Sequence, residues 1–321
     1  MNSSTKLVIA ATALLLAMSA PALGEGNGSL MSVRDLSSHG AHVEALSTYE
    51  GKAESEITLA DRLAAAKSAW AIGLPDRARK YWDEALSEGN FVGSERQREL
   101  LARSILELQE ENYDEARARA ERAAADLDAS PMRAQFWLVV AEALKAQGAY
   151  SQAEGYYRRA VSEASLDAKN EMTYLLGECQ LRLGLLDDAR YSYTAVEASS
   201  KYSAQALRRL AEIDLSQRNY EGALTWIAEG RDNNPQEFDD PWVGYARVSA
   251  LLQLERMRDA EQELDQLRVR HSEKEPWYIL AEGEYLGRAG ARARLANPAN
   301  AIPTVRKQAQ AEVRRGTSER Y

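Results

Sequence analysis

The chain has 321 residues, 45% of them hydrophobic and 28% charged, with a formal charge of −9. That composition can bury a sizeable core and excludes global disorder, and its negative balance sets the body of the chain against nucleic acid and anionic membrane. Ala, Leu, Glu, Arg and Gln dominate while Val and Ile are sparse, which favours helix over sheet.

The opening stretch "MNSSTKLVIAATALLLAMSAPALGEG" reads as a targeting signal. Lys6 supplies the positive end, Leu7 to Met18 the apolar run, and Ala22-Leu23-Gly24 a small-residue cleavage site before Glu25. An apolar run of about a dozen residues is short of the roughly 20 that span a bilayer. Residues 1–24 are therefore expected to be removed, leaving a secreted chain with no stable membrane insertion. No cysteine follows the run, so lipid attachment is not expected either. Residues 25–58 are polar, with Ala41 and Ala45 marking one capping helix.

From residue 59 to 297 the chain repeats itself. "GAYSQAEGYYRRA" from Gly148 has relatives in "GLPDRARKYWDEA" from Gly73, "ENYDEARARAERA" from Glu111, "GLLDDARYSYTAV" from Gly184, "RNYEGALTWIAEG" from Arg218 and "ERMRDAEQELDQL" from Glu255. A degenerate copy, "RAGARARLANPAN", starts at Arg288. One alanine stands in all seven: Ala78, Ala116, Ala153, Ala189, Ala223, Ala260 and Ala293, at spacings of 38, 37, 36, 34, 37 and 33. Each copy joins an upstream helical run such as "FWLVVAEALKAQ" to a second one through a turn. The alanine lets the two helices approach closely, and the residue four later (Trp82, Tyr157, Tyr193, Ile227, Leu264) fills the groove towards the next unit. One hairpin cannot bury its own apolar face, so the units must stack, as six repeats and a C-terminal capping unit. Cys179, the only cysteine, falls inside a helical run and reads as core. Prolines 298 and 303 end the last helix, and 298–321 is a basic tail in which Thr304 to Arg315 suits a short helix.

This pattern resembles the tetratricopeptide repeat family, with W-x2-L-G in helix A, G-x-Y at the turn and A-x3-F/Y-x2-A in helix B. The fullest copy has Trp137, Val140, Ala141, Gly148, Tyr150, Ala153, Tyr157 and Ala160. Trp277, Leu280 and Ala281 repeat the helix A part near the end, and Pro235 matches the family's closing proline. "YSAQALRRLAEIDLSQRNYEGAL" is similar to repeats of secreted bacterial envelope proteins such as the cell-division coordinators of the Tol-Pal system, although the usual Y-P-x-S is missing. The resemblance implies an all-α fold, an α-solenoid (superhelix) of stacked antiparallel helix pairs, with helix A lining a concave peptide groove.

With the alanine counted as position 20, position 9 of helix A reads Lys67, Ile105, Glu142, Glu178, Glu212, Ser249 and Glu282. Position 5 includes Tyr174, Arg208, Tyr245 and Tyr278, and position 2 adds Trp242. The expected site is thus a solvated ladder of glutamates flanked by aromatics, accepting hydrogen bonds from basic or neutral extended segments. The family's carboxylate clamp of basic and Asn residues is not present at these positions.

Chemistry of other kinds finds little support. His39 and His42 lack the carboxylate or Cys company of a metal site, "GEGNGS" lacks the strand and the Lys-Ser/Thr of a phosphate loop, and no nucleophile elbow occurs. No cofactor and no metal are expected. The reading is an exported, non-catalytic scaffold of the bacterial cell envelope, in the periplasm, that binds protein partners. An adaptor of polysaccharide or peptidoglycan machinery, stacking sugars on the groove aromatics, is the alternative.

Overall fold

The computed structural model describes residues 31–88 and 90–296, and of 293–296 the backbone only. The expected signal (1–24) and the basic tail (298–321) lie outside them. Among the described residues there are fifteen α-helices and no strand. They are α1 (Val33–Ser38), α2 (His42–Glu50), α3 (Leu59–Ala71), α4 (Pro75–Glu88), α5 (Glu95–Gln109), α6 (Tyr113–Ala125), α7 (Pro131–Ala146), α8 (Tyr150–Glu163), α9 (Leu166–Arg182), α10 (Leu186–Thr194), α11 (Ser203–Ser216), α12 (Tyr220–Asn233), α13 (Pro241–Gln253), α14 (Met257–Arg270) and α15 (Pro276–Ala296). Two compact units divide the chain after Gly184. In the first, α1 to α9 each pack on the next, and α5 also meets α7. In the second, α10 to α15 do the same, and α13 also meets α15.

One turn geometry is used seven times. Gly40, Gly73, Glu111, Gly148, Gly184, Arg218 and Glu255 all have φ between 60° and 79°. Each stands five residues before a fully buried alanine: Ala45, Ala78, Ala116, Ala153, Ala189, Ala223 and Ala260. The next amide donates back to the first helix's last turn, as Ala149 N–H does to Leu144 (2.9 Å) and Arg256 N–H to Leu251 (2.9 Å). A left-handed residue there satisfies carbonyls that the helix end leaves open. Helix starts are fixed as locally: Thr58 and Asp61 form a reciprocal cap, Ser130 caps α7 ahead of Pro131, and Asp240 caps α13 ahead of Pro241.

Both ends depart from expectation. At the N-terminus there is a whole hairpin, α1 and α2, and not one capping helix; Ala41 sits in its turn and Ala45 in its core. Gly40, Ala45 and Tyr49 carry the repeat's own spacing. At the C-terminus α15 runs unbroken through Arg288–Gly290, where the degenerate copy called for a turn. Arg288 and Ala289 are good helix formers, and the single Gly290 is not enough to break the helix.

Between stacked hairpins a polar tie recurs. The residue after the buried alanine reaches the eleventh position of the next helix A: Arg79 Nε donates to Glu107 (3.1 Å), Gln180 Nε2 to Glu154 (3.2 Å), and Arg190 to Asp214. In the next pair the same two places hold Leu224 and Leu251, which pack together in one apolar cluster. Cys179 is buried with its Sγ 3.3 Å from the Tyr150 carbonyl, and burial pushes its thiol up to about 11. It is core, as its sequence context indicated.

Candidate protein-binding face

The glutamate ladder does not stand in solvent. Glu142 is 5% exposed. It accepts from Lys145 Nζ (2.6 Å) and, at close range, from the Tyr157 hydroxyl. Burial and this carboxylate push the Tyr157 phenol well above the ordinary tyrosine range. The position-9 side chain of α7 points along the helix A–helix B seam, where the residue four after Ala153 can reach it, so Glu142 is an internal acceptor. Tyr174 and Glu178, four residues apart on α9, are half-buried and interact with neighbouring groups.

In the second unit the expected residues come together with others. Glu212 on α11 is ion-paired to Arg209 (2.7 Å) and Arg208 (3.5 Å). The Arg208 guanidinium also reaches Asp240 (3.3 Å) and lies over the Trp242 ring, 4.5 Å from its centroid. Trp242 and Tyr245 are three residues apart on α13 and share a face. The Tyr245 ring packs against Trp277, with centroids 5.1 Å apart, and its hydroxyl donates to Glu284 (3.0 Å). Burial, reinforced by Glu284, raises its pKa. Tyr278 is 4% exposed and donates to Glu282 (2.9 Å); burial first, then that carboxylate, pushes it up to about 12.

Arg208, Trp277 and Glu284 are thus members of the face that the glutamate and aromatic pattern did not single out. Their signal was Arg208 occupying position 5 among tyrosines. The face carries half-buried aromatics, a half-exposed guanidinium and paired carboxylates. Such groups supply rigid contact area and hydrogen bonds. Among the described residues no three His, Cys, Asp or Glu side chains are grouped to hold a metal, and no helix is long and apolar enough to cross a membrane.

The hairpins that pack on each other through a left-handed turn and a buried alanine match a known repeat: the tetratricopeptide repeat family model covers residues 101–169. Those residues are tetratricopeptide repeats. The hairpins on either side share the same turn and alanine. No curated protein sequence matches the chain. Among solved structures, it is similar to a tetratricopeptide repeat protein from Parabacteroides merdae, with 13% identity, a TM-score of 0.49, and 78% of this chain and 96% of that one covered. PilF of Pseudomonas aeruginosa aligns at 15% identity and a TM-score of 0.49, over 64% of this chain and 95% of its own. YrrB, described as a TPR protein with an unusual peptide-binding site, aligns at 20% identity and a TM-score of 0.43, over 61% and 93%.

Proposed function

We propose that this tetratricopeptide repeat chain is a non-catalytic scaffold, exported to the periplasm of a bacterial envelope, that holds extended segments of partner proteins on the Arg208–Trp242–Tyr245 face. The observation that carries this reading is the half-exposed guanidinium of Arg208 stacked on Trp242 and held there by Glu212 and Asp240. Fixed arginine and tryptophan side chains lose little freedom on binding, which is why such residues concentrate binding energy. The expected preference for basic segments is weaker than a bare glutamate ladder would give, because Glu212 is already neutralised by two arginines. Stacking of sugars is disfavoured: Trp242 has Arg208 over one face and Tyr245 is tilted against Trp277.

The test is affinity capture with the processed chain, followed by titration of the captured protein or its peptides. Trp242→Ala and Arg208→Ala should each weaken binding by about 2 kcal/mol, roughly thirtyfold, as interface anchors do. Exposed Gln152→Ala, in the first unit, is the control. Unchanged affinity in both variants, with helicity intact, would put the contact elsewhere.

A further inference from the structure

The last described helix turns an apolar face outward. Tyr278, Ala281 and Tyr285 on one side of α15 pack into the second unit. On the opposite side Ile279, Leu280 and Leu286 are 50%, 51% and 48% exposed. Between them lie Gly283 and Gly287, where an added Cβ would meet no atom within 4 Å. Position 10 of helix A, held by Gly283 in α15, is no more than 2% exposed in every earlier helix A, where it is Ser68, Leu106, Ala143, Cys179, Ile213 or Ala250. The cover there is an antiparallel helix B, as where α8 lies on α7 and α14 on α13. A face of this kind therefore fits another antiparallel helix, with small residues opposite its large ones.

Turned end for end, α15 is itself such a helix. Its large apolar residues Ile279 and Leu280 stand in the first half, and Gly287, Gly290 and Ala291 in the second. Its acids, Glu282 and Glu284, likewise precede its bases, Arg288 and Arg292. We propose that the chain forms a two-fold dimer in which α15 of two copies pair antiparallel, centred at the level of residue 285. Helical geometry then sets Ile279 opposite Gly290 of the second copy, Leu280 opposite Ala291 and Gly283 opposite Gly287, with the two Leu286 side chains side by side. The two-fold axis makes each unlike contact twice. Glu284 of each copy comes within one helical turn of Arg288 of the other, on the same flank. In its own copy Glu284 accepts from Tyr245 and exposed Arg288 donates to Gln253 (2.6 Å), which leaves both with hydrogen-bonding capacity to spare. A parallel pair would instead oppose Ile279 to Ile279, glycine to glycine and like charge to like. One helix pair is a small interface, below about 1,200 Å², so the dimer is a weak one. Neither Arg208 nor Trp242 takes part, so the dimer and the partner-binding reading can fail separately.

Sedimentation velocity of the processed chain tests this across roughly 1–200 μM, a range suited to weak dimers. The sedimentation coefficient should rise with concentration towards that of a dimer. Leu286→Asp should raise the dimer dissociation constant at least about thirtyfold with helicity unchanged. Glu284→Arg alone and Arg288→Glu alone should each weaken the dimer, because each opposes like charges. An equimolar mixture of the two restores both unlike pairs and should dimerise again, which also shows that both variants fold. A native chain that stays monomeric throughout overturns the proposal, whatever else covers the stripe. So does a dimer that survives Leu286→Asp, or a mixture that associates no better than its components.

Discussion

Single side chains decide whether these helices can sit as close as they do. Ala153 is fully buried where α7 and α8 meet, so Ala153→Leu should cost about 1–3 kcal/mol, as overpacking does. Exposed Gln152→Ala should stay within about 0.5 kcal/mol, and equal melting temperatures for the two would contradict the register. Gly230 is a sharper case: a Cβ there would come within 2.5 Å of three ring atoms of buried Phe238, so Gly230→Ala should lose a similar amount in a urea titration. Glu142 teaches the opposite lesson about its position. Because it takes hydrogen bonds from Tyr157 and Lys145 in the interior, Glu142→Gln should lower stability by about 1–3 kcal/mol. Glu107 extends this to pH. Burial alone would raise its pKa, but Arg79, Arg103 and Asn112 all donate to it and hold it down to about 2 from an ordinary 4.5. A carboxylate depressed in the folded state stabilises above its unfolded pKa, and that stability drains as pH falls through the folded value. Urea midpoints should therefore drop between pH 4.5 and 2, and the drop should be shallower in Glu107→Gln.

At the scale of the hairpin, two features repeat, and they differ in how plainly the sequence announces them. The turn was legible because its neighbours are: glycine at three of the six recognised turns, then an alanine five residues on. At Glu111, Arg218 and Glu255 the same left-handed backbone is imposed by the hairpin on residues that resist it. The polar tie was not legible, since its partners are 24 to 28 residues apart and change identity from Arg–Glu to Glu–Gln to Arg–Asp to Leu–Leu. Only stacking brings them together, and only there does one residue explain the other. Asp214 is 1% exposed and also accepts from Trp226 Nε1 (2.8 Å), so removing its cation is costly. Arg190→Leu should destabilise the second unit by about 3–5 kcal/mol, the usual result of orphaning a buried charge. Adding Asp214→Leu recreates the Leu224–Leu251 pairing of the next hairpins and should recover most of that loss. A double-mutant cycle in urea reads the coupling, and additive losses would mean that the tie is not a unit.

For the molecule as a whole, the same distinction separates what periodicity reveals from what it hides. Helix content, hairpin pairing and buried alanines were readable because stacking repeats one geometry; the N-terminal hairpin was missed because α1 has only six residues. The C-terminal turn failed because helix propensity there outweighs a weak alanine match. The candidate face was half-readable: its aromatics follow the helix A count, but whether a glutamate is free depends on arginines and tyrosines that no count locates. Cys179 links this scale to the proposed export. A chain bound for an oxidising compartment with one cysteine risks pairing with a second copy. Here the thiol is buried, and burial holds it up to about 11, so almost no thiolate forms at neutral pH and exchange chemistry is closed to it. Protein recovered from the periplasmic fraction should then have the intact mass of residues 25–321 with an unmodified thiol. It should run identically on gels with and without reductant, and native protein should not react with a thiol reagent until denaturant is added. A retained N-terminus would count against export, and a disulfide-linked dimer would show that the helix packing around Cys179 opens in that compartment.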